Sequence, residues 1–401
     1  MDRDAGFSLL EISIAIAVLL VVTPVVFAII NPAEGALAAA PEAADMQQRL
    51  RGATDTLFRT LMMAGAGPYL DGPAGALHMF FAPVQPFRRG AIGDAVPGSY
   101  TTDTITVYYV PVTAMQTTTS APVIAADAAL RVNLDPGCPK DPDGTLKPLC
   151  GCEPGMSLLI FDQAGRYDVF TVASMDGEVA RLVVHKPARS ATTVYPAGSR
   201  VVEVVERTFA LRIDVHRKLS RLISYDGSDR ADVPVVDNVA AVKFEYFGEP
   251  RPPEFHQPVD GRTGFWKTSY GPEPPPAGVR WTAYPEGESC TFVVDASGKQ
   301  LPRLSVLDDG SSGHSLVKLT EEQLTDGPWC PDTMSPDRFD ADLLRIRAIG
   351  VTLRIQAALD ALRGPAGLLF LNAGTAARAS RWVPDQEVRF DVTPRNLNLG
   401  R

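Results

Sequence analysis

The sequence has no surplus of basic residues and none of the local motifs on which most enzyme classes depend. Its 401 residues include 38 Lys and Arg against 47 Asp and Glu, a formal net charge of −9. This balance argues against nucleic-acid binding, because the neutralisation of phosphates needs an excess of cations. The sequence also lacks a G-x-S-x-G nucleophile elbow, an H-E-x-x-H zinc motif and a Gly-rich phosphate loop. These absences point away from an enzyme and towards a structural or binding protein that uses no cofactor.

Long apolar runs are equally scarce, because only one segment of the sequence could span a membrane. It runs from Phe7 to Ile30, which is about 36 Å as a helix and long enough for a tilted span. A single span places everything after it on one side of the membrane. Glu11 lies near the start of this run, and a carboxylate in hydrocarbon costs about 2.5–3.5 kcal/mol on insertion scales. Its position therefore needs a specific explanation.

A cleaved secretory signal is one interpretation of the apolar run. Ala36-Leu37-Ala38 follows the run and resembles a signal-peptidase site. The apolar core of such signals is normally about 7–15 residues long, however, and this run is longer. The leader MDRDAG also has two Asp against one Arg, whereas a secretory leader is basic. Both features weigh against a released, soluble protein.

The start of the chain resembles the N-terminus of type IV prepilins and type II secretion pseudopilins. In those families a short polar leader ends in Gly, a hydrophobic residue follows the cut, and Glu stands fifth after it. Gly6, Phe7 and Glu11 match this pattern. The resemblance implies cleavage by prepilin peptidase between Gly6 and Phe7, N-methylation of Phe7, and retention of the apolar segment. It also implies that Glu11 sets the assembly register by meeting the N-terminal amine of a neighbouring subunit, since opposite charges can compensate in apolar surroundings.

The spacing of apolar residues predicts that the helix continues beyond the membrane segment. Apolar residues recur at three- and four-residue steps, and Gly65 and Gly67 end the pattern. Pro24 removes one helix hydrogen bond, so we expect a kink or local melting there. Asn31-Pro32 and Ala40-Pro41 predict further interruptions. The apolar stripe consists of Met46, Leu50, Ala53, Leu57 and Leu61.

After Tyr69 the pattern changes from helical to alternating, which predicts half-buried antiparallel strands. The clearest segments are TFALRIDVH, AVKFEYF and EVRFDV. Asp176-Gly177 predicts a hairpin turn, and a slip in the alternation near Ile349-Gly350 predicts a bulge or a tight bend. A proline-dense stretch from Glu249 to about Met334 predicts a loop-rich insertion, after which strands resume at about Asp342.

Together these patterns predict an α+β protein in which a long N-terminal helix packs on a mostly antiparallel β head. The helix would combine a membrane half with an amphipathic half, as in pilins. The expected boundaries are 1–6 for the leader, 7–30 for the transmembrane and assembly helix, 31–67 for its amphipathic continuation, 68–248 for the β head, 249–334 for the insertion with two cysteines, and 335–401 for the C-terminal strands of the head.

Two further stretches strengthen the resemblance to minor pilins of the PilW type and to the related pseudopilin GspJ. One contains DNVAAVKFEYFG, and the other is the tail EVRFDVTPRNLNLGR, which resembles the V-x-P-R-N-L ending of those families. The resemblance implies a non-enzymatic minor pilin that joins or initiates a type IV pilus. Its partners would be other pilins through the N-terminal helix, prepilin peptidase and the inner-membrane assembly platform, with no nucleic acid. The head would lie in the periplasm and later on the extracellular pilus.

Two alternatives to the minor pilin stay open. The first is a pseudopilin of the GspJ kind in a type II secretion system, which has the same N-terminal chemistry in another machine. The second is a secreted soluble protein released by an ordinary signal peptidase near Ala38.

The five cysteines are disulfide candidates on an oxidising, periplasmic side of the membrane. We expect Cys138 to bond to either Cys150 or Cys152, because direct closure of Cys150 on Cys152 would be strained. We expect Cys290 to bond to Cys330. One of the five is then left over, as a free thiol or for an intermolecular bridge.

Two Asp-Gly turns are candidates for calcium ligation through oxygen. They contain Asp141 and Asp143 in one case and Asp308 and Asp309 in the other. Such short sequences usually serve only as turns, so we expect no metal.

Overall fold

A computed structural model describes the chain in separate ranges. The described residues are 8–68, 76–79, 82–86, 103–112, 115–123, 129–133, 138, 140–145, 147–162, 167–176, 181–185, 195–214, 219–226, 232–250, 292–294, 300–302, 316–320, 324, 341–363 and 383–398. Within these ranges the chain combines a long α-helix with antiparallel sheets. The prediction of an α+β protein is confirmed at this level.

The strands of the described ranges are numbered here in chain order. They are β1 (Val84–Pro86), β2 (Thr104–Tyr109), β3 (Gln116–Thr118), β4 (Ala129–Arg131), β5 (Ser157–Phe161), β6 (Tyr167–Asp176), β7 (Arg181–His185), β8 (Arg200–Glu203), β9 (Val205–Asp214), β10 (Leu219–Tyr225), β11 (Val233–Asp237), β12 (Val239–Gly248), β13 (Phe292–Val294), β14 (Gln300–Pro302), β15 (Val317–Leu319), β16 (Ile346–Ile355) and β17 (Gln386–Val392). They form a five-stranded sheet β1-β2-β9-β10-β11, a four-stranded sheet β15-β12-β16-β17, a six-stranded sheet β3-β8-β5-β6-β7-β4 and the pair β13-β14.

The helix α1 spans Leu9–Met62, 54 residues, and is therefore about 80 Å long. It stays helical across Pro24, Pro32 and Pro41. The expected interruptions at Pro32 and Pro41 and the local melting at Pro24 are therefore wrong, because each proline removes only one amide donor while the neighbouring turns keep theirs. The kink at Pro24 stays a prediction.

The second half of α1 packs against both the five-stranded and the four-stranded sheet. Their shared core contains Leu57 and Leu61 from the helix together with Phe209 from β9 and Phe244 from β12. The chain passes from one sheet to the other at Asn238, which separates β11 from β12 and has a φ of 59°. Asn tolerates this left-handed conformation better than most residues, so a single residue makes the corner.

The alternation predicted for β12 is confirmed except at Glu245, which was expected on the exposed side and is buried. Val242, Phe244 and Tyr246 are buried, whereas Lys243 between them is exposed. In β9 the same prediction fails at the end of the strand, where Ile213 is 63% exposed. Ile213 is exposed because β2 pairs with β9 only as far as Ala210. The last residues of β9 therefore have no described strand beside them on the β2 side.

The irregularity predicted near Ile349-Gly350 lies slightly earlier in β16. The strand pairs with β17 in an unshifted register, but its register against β12 shifts between Ile346 and Ala348. Gly350 has a packing role: a Cβ there would lie 3.0 Å from Asp391 Oδ1 and 3.1 Å from the Phe247 ring. The slip in the sequence pattern arises because β16 is buried on both faces, where alternation is not required.

The six-stranded sheet closes on itself and is inserted into the five-stranded one. Thr119, just after β3, pairs with Val132, just after β4, and the Asn133 amide donates to the Thr118 carbonyl at 2.8 Å. These contacts join the two outer strands of the sheet. The whole unit lies in sequence between β2 and β9, which are direct neighbours in the five-stranded sheet. The single β head predicted for 68–248 therefore contributes strands to three different sheets, because β12 belongs to the four-stranded one.

Each face of the inserted sheet has its own core. Leu158 and Ile160 of β5 lie in a cluster with Phe170 and Tyr195 on the inside. The alternate residues of β5, such as Phe161, pack outside against Tyr108 of the five-stranded sheet. The hairpin predicted here is confirmed, since β6 and β7 pair antiparallel with Asp176 opposite Arg181; residues 177–180 lie outside the described residues.

Most of the predicted insertion at 249–334 lies outside the described residues. Of the described parts, β13 and β14 form a short antiparallel pair, and β15 joins the four-stranded sheet beside β12. The chain therefore rejoins the head sheet at Val317, earlier than the expected return at about Asp342.

The C-terminal tail packs against the end of α1. Gly65 has a φ of 78°, and a Cβ on it would lie only 2.8 Å from Leu397 Cδ2. Its amide donates to the Tyr108 carbonyl at 2.9 Å. Gly65 therefore ends the helix, as predicted, and allows the tail to pack closely against it.

Candidate functional site

The start of α1, Leu9–Val26, is apolar and exposed. The window Leu9–Val26 has a mean hydropathy of 2.6, and none of it is buried. Leu9 is 85% exposed and Leu19 is 68% exposed. An exposed surface of this kind is rare in soluble proteins. By length and composition this helix could cross a membrane or belong to a signal sequence.

The described side chains of α1 from Ala39 onwards include many that pack on the head. Ala39 and Ala43 are partly buried against the core, and Met46, Leu57 and Leu61 are fully buried. The remaining members of the predicted stripe also face the head, since Ala53 is buried and Leu50 is half-buried. The helix therefore changes from an exposed rod to a packed element along its length.

A polar anchor fixes the helix where it meets the head. The Glu42 carboxylate accepts a hydrogen bond from the Ala358 amide at 2.5 Å and forms an ion pair with Arg49 at 3.2 Å. Arg49 also donates to the Asp237 carbonyl at 3.2 Å and pairs with Asp45 at 2.6 Å. These contacts tie α1 to both β11 and the segment after β16.

Glu11 takes part in a reciprocal capping interaction at the N-terminus of α1. The Ser8 amide donates to Glu11 Oε2 at 2.9 Å, and the Glu11 amide donates to Ser8 Oγ at 3.2 Å. This capping box satisfies amides that the helix itself leaves without partners. The predicted cleavage and methylation residues, Gly6 and Phe7, lie outside the described residues.

Ser8 was not among the residues that the sequence analysis selected. The signal that could have found it is the spacing S-x-x-E before an apolar run, which is typical of a capping box. The structure thus adds one side chain to the predicted site at Glu11.

The cysteine-rich loop forms one disulfide, between Cys138 and Cys150. Of the two partners expected for Cys138, the structure therefore has Cys150, and Cys152 is a buried free thiol. Burial raises the pKa of Cys152 to about 11, so the reactive thiolate is scarce at neutral pH. Cys290 and Cys330 lie outside the described residues, and their pairing stays a prediction.

The Asp-Gly sequence at Asp141 and Asp143 is a turn in the structure. Asp143 Oδ1 accepts from the Thr145 amide at 2.9 Å and from its hydroxyl at 2.5 Å, and these hydrogen bonds lower the pKa of the Asp143 carboxyl. In the part of the chain that the structure describes, no three His, Cys, Asp or Glu side chains cluster as metal ligands would. Asp308 and Asp309 lie outside that part.

The head also contains a buried charged residue, Glu245, which the alternation pattern predicts to be exposed. Glu245 lies on the polar face of β12 but is only 8% exposed, and it pairs with Lys243, Lys318 and Arg389. Hydrogen bonding by Lys318 is the largest cause that lowers the pKa of the Glu245 carboxyl. These ion pairs join β15, β12 and β17 across the four-stranded sheet and are structural contacts between strands.

No protein-family model matches this chain, and no curated protein is significantly similar to it. Its function must therefore be inferred from its own residues, and the exposed apolar half of α1 with the Ser8–Glu11 cap is the candidate functional site.

Proposed function

We propose that the chain is a non-enzymatic minor pilin, anchored in the bacterial inner membrane by the first half of α1 and incorporated into a type IV pilus. The observation that carries this proposal is the continuity of α1. One helix joins an entirely exposed apolar segment, Leu9–Val26, to a segment that is packed into the head. Such a helix can serve first as a membrane anchor and then as the packing element of a filament.

The exposed apolar segment needs a cover. Burial of a Leu, Ile or Val side chain is worth about 1.5–3 kcal/mol, and the described part of the segment leaves all such side chains in contact with solvent. Lipid tails would provide the cover before assembly. The helices of neighbouring pilins would provide it afterwards, because their surfaces are equally apolar.

Glu11 is the residue that a simple membrane anchor does not need. In the proposed function, prepilin peptidase cuts after Gly6 and leaves an amine on Phe7, which is then methylated. The amine of a neighbouring subunit meets the Glu11 carboxylate, so the two charges compensate each other in the apolar interior of the filament. This pairing would fix the axial register of the subunits.

The head fits an extracytoplasmic location. The Cys138–Cys150 disulfide is of the kind that persists in oxidising compartments such as the periplasm. The assembly platform of the inner membrane would extract the helix while the β head stays on the outer side.

The first experiment determines the N-terminus of the mature protein. The chain is expressed in cells with and without prepilin peptidase, and its N-terminal peptide from purified membranes is identified by mass spectrometry. We expect a chain that begins at methylated Phe7 only when the peptidase is present. Gly6→Leu should block the cut, whereas the neighbouring variant Ala5→Ser should not.

Other N-termini would contradict the proposal. A chain that begins near Ala39 in both strains would indicate an exported soluble protein. If the chain begins at Phe7, enrichment in sheared pili supports the minor pilin, whereas loss of type II secretion on deletion would indicate a pseudopilin instead.

A further inference from the structure

The C-terminal tail folds back onto the head as one short 3₁₀ turn, Arg395–Leu397. Leu397 is buried and packs closely against Gly65 at the end of α1. The Asn398 side-chain amide donates to the Arg347 carbonyl at 3.2 Å, which ties the tail to β16. A segment held by so few contacts can leave the head without unfolding the sheets.

His78 packs against this turn. It belongs to a second 3₁₀ turn, Leu77–Met79, and the two turns contact each other. His78 is 8% exposed and is hydrogen-bonded to the backbone of Asn396. Its Nδ1 is buried and has no hydrogen-bond partner in the described part of the chain. The site therefore suits a neutral ring, because protonation would give Nδ1 a buried N–H without an acceptor.

The charged groups that act on His78 come from other elements. The charge of buried Arg347 in β16 opposes a second cation beside it. Glu249, just after β12, favours protonation, but its Oε1 already pairs with Arg347 Nε at 3.0 Å. The end of α1, residues 62–68, carries no charged side chain, and Arg395 on the tail is exposed. Desolvation, followed by Arg347, therefore lowers the pKa of His78 from 6.5 to about 4.

We propose that His78 is a pH-sensitive latch, which holds the C-terminal tail on the head when its ring is neutral and releases the tail when the ring is protonated. The protonated ring would carry an unpaired N–H and a charge beside Arg347. Because the tail turn packs on His78, departure of the tail exposes the ring to water, which solvates the new charge. The same movement removes Leu397 from Gly65, so acid loosens the packing at the end of α1.

Hydrogen–deuterium exchange of the full chain in detergent micelles tests the latch. Observed rates are divided by the intrinsic rates of unstructured peptides at each pH, because intrinsic exchange itself depends on pH. This gives the opening constant of the tail, residues 395–398, and that of β16 as an internal reference. The chains compared are wild type, His78→Gln and His185→Gln. Gln keeps a hydrogen-bonding group but cannot be protonated, and His185 lies in β7 of the inserted sheet.

We expect the wild-type tail to open more often than β16 at every pH. Its opening constant should rise by up to about 80-fold as the pH falls from about 7 to about 4.5, if released His78 has its ordinary pKa of 6.5. The holding effect of neutral His78 is fully present above pH 6.5 and is lost as the pH falls towards 4. His185→Gln should follow wild type, whereas the tail of His78→Gln should open to nearly the same extent across this range.

Three results would overturn the latch. The first is an equal opening constant for the tail and β16 at each pH, which would show that the tail leaves only on global unfolding. The second is a tail whose opening does not change with pH in wild type, or changes equally in His78→Gln. Near-UV circular dichroism at neutral pH establishes that His78→Gln is folded. If this variant does not fold, NMR titration of the wild-type imidazoles replaces it, and a pKa of His78 at or above 6.5 is the third.

Discussion

Leu19 and Leu57 lie on the same continuous helix, yet Leu19 is 68% exposed and Leu57 is fully buried. Both are good helix formers, so the difference between them is not one of local structure. Leu57 packs on two sheets of its own chain, whereas Leu19 contacts none of them. The comparison shows that the second half of α1 packs within the chain, whereas the described side chains of Leu9–Val26 are exposed.

The same contrast applies to the charged residues of the helix. In the second half Glu42 is bonded to Arg49 and to an amide of the head. In the first half Glu11 is bonded only to the adjacent turn. Among the described residues Glu11 has no ion-pair partner, and it lies in the half that we expect to enter a filament.

The largest expected effect comes from truncating the two leucines. Leu57→Ala should lower the free energy of unfolding by about 3 kcal/mol, since it leaves a cavity in the core. Leu19→Ala should change it by less than about 0.5 kcal/mol, because this side chain makes no contact with the head. Urea unfolding of the full chain in detergent micelles, followed by near-UV circular dichroism, would measure both. Equal losses would contradict the division of the helix.

The second prediction is that stability depends on pH through His78, which lies near the end of α1 where the C-terminal tail packs against Gly65. His78 is buried there, and desolvation, followed by the charge of Arg347, lowers its pKa from 6.5 to about 4. Between these two pKa values the unfolded chain binds a proton at His78 that the folded chain does not. The contribution of neutral His78 to the free energy of unfolding is therefore fully present above pH 6.5. It is lost as the pH falls towards 4, to a limit on the order of 3 kcal/mol.

His78→Gln provides the control for this prediction. The carboxylates of the head also titrate at low pH, so the quantity to compare is the difference in stability between wild type and variant at each pH. That difference should shift against the wild type between pH 6.5 and 4. A difference that does not change with pH would show that His78 does not titrate differently in the folded state.

The smallest expected losses of stability come from removing either of two ion pairs in the second half of α1. Glu42→Gln keeps an acceptor for the Ala358 amide but loses the charge that faces Arg49, and should lower the free energy of unfolding by about 1 kcal/mol. Asp55→Asn removes an exposed pair with Arg59, whose side chains are 58% and 78% exposed, and should cost less than about 0.5 kcal/mol. Thermal unfolding of both variants beside wild type would rank them, and the reverse order would contradict the anchoring role of Glu42.

Local patterns in the sequence were sufficient for several features. The three- and four-residue spacing of Met46, Leu57 and Leu61 is a property of the helix itself, and the structure buries all three. The alternation in β12 agrees with the structure at Val242, Lys243, Phe244 and Tyr246. Patterns failed where burial does not follow from the neighbouring residues: β16 is buried on both faces, and Ile213 at the end of β9 is exposed.

Long-range pairing could not be read from the sequence. Nothing local shows that β2 and β9 are neighbours, because the complete six-stranded sheet lies between them in the chain. The choice of Cys150 over Cys152 as the partner of Cys138 also depends on how the loop folds back on the inserted core.

By itself, the sequence determined the α+β class, the apolar helix, the position of Glu11 within it and the helical stripe that follows, because each depends on residues a few positions apart. Only the tertiary structure decided the nested sheets, the disulfide, the burial of Glu245 and the sheets on which the second half of α1 packs. These features depend on contacts between residues far apart in the chain, and their energies arise only when the sheets and the helix come together.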